Sequence, residues 1–489
     1  MSDNSQVTAE DVQERAGIDR SVRFPVMFFF TSAAVWLFVA TLFGFLSALK
    51  LAVPALWADC QFLGYGRLFP AHMTALVYGW AMQAGIGVML WLVARLTRVE
   101  MTKAKAVIVA GHVWNFAVGL AVFAIWIGKG RSIPWLDFPG WMWMLFALSY
   151  LMMVVWVIPM FRVRRTGDVY ISEYYVIGAA VWFPWIFITA NVLINRGAAP
   201  VMAAGAAGWF VTNLIYFWFA PIALAVAYYI VPKIAGRPIF SYPLAKLGFW
   251  TLAILAGWTG FQRFMGGPFP AWMPALSGAA TLFILIAVVA TCTNLLMTLK
   301  GRQKLWEYSP SLRFTMFGML MFAIYGVLAG MSSFFSVGKV LQFSHFLVGL
   351  DTLAVYGFFS MTIFGAMYFI VPRVTGCEWV SGGMIRWHFW FSAYGILTLV
   401  GVMLVGGLAQ GGNMADLDQR FAVSVGNSQG YVIGRICAWF LIGISNLWFV
   451  YQMGLMFLGK GRKSEGPTLI HGEPGKSAEA AAGLNPENA

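Results

Sequence analysis

Runs of 20 or more predominantly apolar residues recur along the whole 489-residue chain, and no water-soluble fold can bury so many of them. A hydrocarbon core about 30 Å thick is crossed by about 20 helical residues, and only a helix satisfies every backbone N–H and C=O within one segment. Spans are expected at 26–48, 69–94, 106–128, 139–161, 170–194, 206–231, 246–266, 272–298, 313–336, 346–371, 386–408 and 432–458. With 60% hydrophobic and 10% charged residues, the composition belongs to the same class. The expectation is an all-α polytopic membrane protein with an N-terminal segment over 1–24 and a twelve-helix membrane domain over 25–460. A tail over 461–489, rich in Gly, Pro, Glu and Ala, is expected to be disordered.

Loop charges set the orientation. With the N-terminus inside, one side carries clusters such as Arg15, Arg20 and Arg23, Arg95 to Lys105, Arg162 to Arg165, Lys233 to Lys246, and Lys460 to Lys476. The other side has only Lys50, Arg67, Lys129, Arg131, Arg196, Arg263, Lys339 and Arg420, so both termini are expected in the cytoplasm. The opening MSDNSQVTAEDVQERAG is polar and acidic, unlike a cleavable signal, and the first span is expected to direct insertion. The net charge of +13 follows from the loop bias and suits contact with anionic lipid; it does not argue for nucleic acid. Cys60, Cys292, Cys377 and Cys437 are scattered, with no CxxC and no CxxCH, so no c-type heme attachment is expected.

Four stretches carry more than hydrophobicity. Leu341–Gly376, LQFSHFLVGLDTLAVYGFFSMTIFGAMYFIVPRVTG, reads as a loop entering a long apolar helix that stops near Pro372. GRLFPAHMTALVYGW opens the second span, YYIVPKIAGRPIFSYPL closes the sixth, and WTGFQRFMGGPFPAW closes the seventh. Jointly these resemble heme-copper oxidase subunit I in its cbb3-type branch, over about residues 25 to 460. The resemblance implies a twelve-transmembrane-helix bundle, a place in a respiratory electron-transport complex of a bacterial inner membrane, and membrane-anchored c-type cytochromes among the partner subunits.

That family uses six histidines for two hemes and one copper. Carried over residue by residue, the resemblance makes His72 an axial ligand of a low-spin heme b, with Arg67 and Arg435 near its propionates. The copper positions hold Thr212, Gln262 and Arg263, and the His-x-His pair of the tenth helix holds Leu350 and Thr352. A guanidinium is always protonated and cannot ligate copper. No copper and at most one heme b are therefore expected. His72 also admits a plain interhelical hydrogen bond, and Arg435 a contact with backbone carbonyls.

The remaining histidines have plainer readings. His112 suits interhelical hydrogen bonding, His345 a place beside the metal site, and Arg386, Trp387 and His388 interfacial anchoring. Glu173 is expected to reach headgroup water. A lone Arg263 inside the bundle needs a partner, and Asp351, between the two abandoned helix-10 positions, is the nearest acidic candidate. An Arg263–Asp351 ion pair is expected, with Thr212 and Gln262 as hydrogen-bonding neighbours. Three functions remain open at this point: a non-catalytic structural or assembly subunit, a working cytochrome c oxidase, and an ion or proton conductor reusing the polar interior.

Overall fold

The computed structural model describes residues 9–165, 167, 169–196, 199–463 and 467–470. Twelve of its helices are long and apolar enough to cross a membrane. They are α1 (Ala9–Ala52), α2 (Tyr65–Thr97), α3 (Ala104–Trp126), α4 (Trp143–Arg162), α5 (Ile171–Asn195), α6 (Pro200–Ala235), α7 (Tyr242–Phe264, its last part in 3₁₀ turns), α8 (Trp272–Leu299), α9 (Pro310–Ser332), α10 (His345–Thr375), α11 (Gly382–Ala415) and α12 (Phe421–Phe457). Among the described residues every named element is a helix, as expected.

α2, α6 and α10 are buried along essentially their whole apolar stretches, whereas the others turn about half of theirs outward. A helix apolar on every side suits either environment, so burial is decided by packing rather than by hydropathy. Small residues allow the close approach. A Cβ on Gly318 of α9 would lie 2.8 Å from the Phe358 carbonyl of α10, and one on Gly365 of α10 would lie 2.8 Å from the Ser311 carbonyl of α9.

Each of these three central helices contains a π turn, at Ala75–Ala81, Ile215–Phe219 and Leu353–Ser360. In the last, the Ser360 hydroxyl donates to the freed Val355 carbonyl at 2.8 Å. The three turns start just after His72, Thr212 and Thr352, three of the six positions singled out as ligand places. Such turns recur at functional sites in helices.

Several boundaries differ from expectation, among them the start of α12 at Phe421 rather than 432 and the end of α11 at Ala415 rather than 408, and two of them have a visible packing reason. α1 begins at Ala9, well before residue 26, because its early turns are amphipathic and have something to pack on. Ile18 and Val22 are buried, and Asp19 accepts from Trp91 Nε1 at 3.0 Å and pairs with Arg95 Nε at 3.4 Å. The second difference is at Pro372, where α10 does not stop but runs on to Thr375 and ends at Gly376, whose φ of 72° is a left-handed cap. Pro372 removes the N–H that the Tyr368 carbonyl needs. Trp379 Nε1 supplies a substitute at 3.2 Å.

Part of the tail is held rather than disordered. Glu378 and Arg462 exchange backbone hydrogen bonds at 2.9 and 2.8 Å, Thr468 donates to the Glu378 carboxylate, and Ile470 N donates to the Tyr308 carbonyl. Residues 464–466 and 471–489, His471 and Lys476 included, lie outside the described residues.

Candidate functional site

The end of α7 does not carry its helix to residue 266. The helix stops at Leu255, and short 3₁₀ turns at Ala256–Trp258 and Phe261–Phe264 follow. Gly260, with φ at 112°, makes the corner between them; a Cβ there would lie 2.5 Å from the Trp209 Cα. Only glycine tolerates both that dihedral and that approach. Asn213 Nδ2 fastens the corner to α6 by donating to the Thr259 carbonyl at 3.2 Å.

This corner aims Arg263 across the bundle. Its Nε donates to Thr212 Oγ1 at 2.9 Å, its Nη1 donates to Asp351 Oδ2 at 3.0 Å, and its Nη2 donates to Asp351 Oδ1. The fork is bidentate, the strongest geometry for this pair, and the two side chains are only 15% and 14% exposed. Arg263 thus ties α6, the α7 corner and α10 together. Gln262 does not join the pair, contrary to expectation: Gly260 N and Ser277 Oγ both donate to its Oε1, and Gln342 Nε2 donates to its carbonyl. As the residue before Arg263 in a tight 3₁₀ turn, it faces α8 instead.

On the other side of α10, His72 is 3% exposed, and its Nδ1 is 2.7 Å from the Ala40 carbonyl of α1. A neutral ring in this position donates from Nδ1 and keeps its Nε2 lone pair. Arg435 and Trp439 from α12 line the same small cavity, with the Trp439 indole edge-on to the imidazole at 4.9 Å. Arg435 is 4% exposed; its Nε and Nη1 have no hydrogen-bond partner, and Tyr65 stands beside it. Arg67 is not brought here. Its Nη1 donates to the Trp126 carbonyl at 3.4 Å and its guanidinium lies over Phe62, because the first turn of α2 faces the end of α3.

The helix-10 positions hold no ligand atoms aimed at a metal. Leu350 is buried against the Arg263 cavity, and the Thr352 hydroxyl donates back to the Val348 carbonyl at 2.7 Å. The cavities beside His72 and Arg263 each have a volume of about 20 Å³. That is room for about one water. Pockets for larger organic ligands run to roughly 300–1,000 Å³. The side chains as packed therefore fit neither a porphyrin nor a copper ion, whose charge Arg263 would repel. Among the described residues, no three His, Cys, Asp or Glu side chains are grouped to hold a metal.

Other polar residues depart from their plain readings. His388 is fully buried, its Nδ1 2.7 Å from the Tyr368 hydroxyl and its ring stacked on Phe449, so only Trp387 beside it is an exposed anchor. Glu173 is buried as the third residue of α5 and caps its N-terminus, accepting from Tyr170 N at 3.3 Å. His112 is exposed and meets α1 through an edge-on ring contact with Phe28 rather than through a hydrogen bond. An amide pair joins two spans: the half-buried Asn115 of α3 and the buried Gln83 of α2 exchange hydrogen bonds at 2.9 and 3.1 Å. Single polar residues in separate spans give no sequence signal that they meet.

Comparison with known proteins places residues 24–441 on the family model described as Cytochrome C and Quinol oxidase polypeptide I. The chain is 26% identical over 470 residues to the cytochrome c oxidase subunit 1 homolog, bacteroid, of Bradyrhizobium diazoefficiens, covering 88% of this chain and 82% of that one. It is also 26% identical over 396 residues to the cbb3-type cytochrome c oxidase subunit CcoN1 of Stutzerimonas stutzeri, covering 77% and 81%. Among solved structures, a heme-copper terminal oxidase dimer superposes with a TM-score of 0.77 at 15% identity, over 95% of this chain and 89% of the other. The last likeness is one of fold.

Proposed function

The chain belongs to the Cytochrome C and Quinol oxidase polypeptide I family, a family of heme proteins, and from that premise we propose that it is a non-catalytic, metal-free member serving as a structural or assembly subunit of a respiratory membrane complex. The observation that carries this reading is the bidentate Arg263–Asp351 pair, anchored on Thr212. It replaces copper ligands with a fixed positive charge and joins the α7 corner to α10 with no gap for a macrocycle. Without copper and a five-coordinate heme, four-electron reduction of oxygen has no site. The family scaffold remains, and a scaffold of this size in a multi-subunit membrane complex can organise neighbours without redox chemistry of its own.

By likeness to the cbb3-type relative, the partners are other membrane subunits, membrane-anchored c-type cytochromes among them, in a bacterial inner membrane. Both termini lie in the cytoplasm on this reading, on the side richer in Lys and Arg. The test uses a tagged full-length chain in native membranes. Expected is co-migration with other membrane subunits and no oxygen uptake by the chain purified away from them when reduced cytochrome c or quinol is supplied. Sustained oxygen uptake by the isolated chain would restore the oxidase reading.

A further inference from the structure

At the end of the bundle that carries the early turns of α1 lies a cavity of about 820 Å³, far larger than the two beside His72 and Arg263. It is lined by six cations from four helix ends: Arg15 of α1, Arg95 and Arg98 at the end of α2, Lys233 and Arg237 around the end of α6, and Arg373 of α10. Acidic partners cover only part of this charge. Arg95 is offset by Asp19, and Arg98 by Asp11 and Glu14. Among the described residues, no carboxylate lies within ion-pair distance of Arg15, Lys233, Arg237 or Arg373, although Asp19 and Glu378 act on Arg373 from farther away.

The cations are also held rather than waving in solvent. Arg237 donates to the Thr298 and Lys300 carbonyls, Arg373 donates to the Phe369 carbonyl at 2.5 Å and stacks on its ring, and Arg95 packs over Trp91 while its Nη1 is buried with no hydrogen-bond partner. Lys233 sits within electrostatic reach of Arg15, Arg95, Arg98 and Arg373. Like charges fixed this closely repel, and the arrangement is stabilised by an anion that accepts several N–H bonds at once. Tyr228, Tyr229 and Phe369 form apolar walls, and the half-exposed Tyr170 and Tyr242 stand at the rim.

We propose that this cavity binds a phosphate-bearing anion, with the phosphate among Arg15, Lys233 and Arg373 and the apolar part of the ligand against the aromatic walls. Two sources share that chemistry: an anionic phospholipid headgroup entering from the bilayer, as basic pockets between spanning helices take up, and a soluble phosphate ester entering from the aqueous side. The volume is in the range of organic-ligand pockets and exceeds what free phosphate fills. The site is independent of whether the chain carries metals.

The experiment is thermal unfolding of the delipidated full-length chain in neutral detergent, with cardiolipin, phosphatidylcholine, inorganic phosphate or ATP added separately. Cardiolipin raising Tm by about 3 °C or more, with no response to phosphatidylcholine, supports the lipid source. The same rise with ATP or phosphate and none with cardiolipin supports the soluble source. In either case the rise is lost in the Arg15→Gln/Lys233→Gln variant and kept in Lys233→Arg. No rise with any anionic probe, or an equal rise in the double variant, overturns the site. If the double variant does not fold, native mass spectrometry of the wild-type chain decides: a retained phosphate-bearing adduct after incubation with cardiolipin or ATP supports it, and none overturns it.

Discussion

Replacing Arg263 with methionine lowers the stability of the full-length chain by about 3–5 kcal/mol, because it leaves Asp351 as a buried charge without its counter-ion. Asp351→Leu has an effect of the same order, since it strips the guanidinium of the two strongest of its three hydrogen bonds. The double change recovers most of the loss: with both charges gone nothing remains uncompensated, and Met and Leu restore apolar contact between the α7 corner and α10. Thermal unfolding or protease resistance in one detergent reads the cycle. Additive losses in the double variant would mean that the two side chains stabilise the fold independently, and that the pair does not close the former metal site.

The opposite sign is expected at Arg435. It is 4% exposed, two of its nitrogens have no partner, and it shares a cavity of about 20 Å³ with His72. Arg435→Met keeps similar volume and removes a buried charge that has the Tyr65 hydroxyl beside it but, among the described residues, no carboxylate within ion-pair distance, so stability stays level or rises. A loss above about 2 kcal/mol would reveal an anionic partner. A heme propionate is the one that the family frame suggests, so this substitution and the ion-pair cycle question the metal-free reading from two sides of α10.

The spans are legible because a bilayer dictates both length and hydropathy, and the Arg263–Asp351 contact is legible because a charge inside the bundle needs a counter-charge. What the sequence hid was mostly geometry that depends on a neighbour. Pro372 looked like a stop until Trp379 supplied the missing donor to Tyr368. The early turns of α1 read as a polar segment because their ion partners, Arg95 and Arg98, lie at the far end of another span. Gln262 and His388 were assigned by position alone, and a 3₁₀ corner and a buried tyrosine hydroxyl redirected them. Arg67, placed by resemblance beside a heme, turns to the end of α3. The π turns have no composition signature, yet they mark three of the four helices on which the family places its ligands; the fourth, α7, ends in 3₁₀ turns instead.

Metal and heme content of the purified chain bears most directly on the central claim. The full-length protein, expressed in a host supplied with copper and heme precursors, is assayed by pyridine hemochrome spectra and elemental analysis against its own polypeptide concentration. The expected result is no copper, no Soret band and no heme above trace. Two hemes with one copper per chain would contradict a metal-free subunit and return it to the oxidases; a single b-type heme lost on His72→Ala would contradict the exclusion of heme from the His72 cavity.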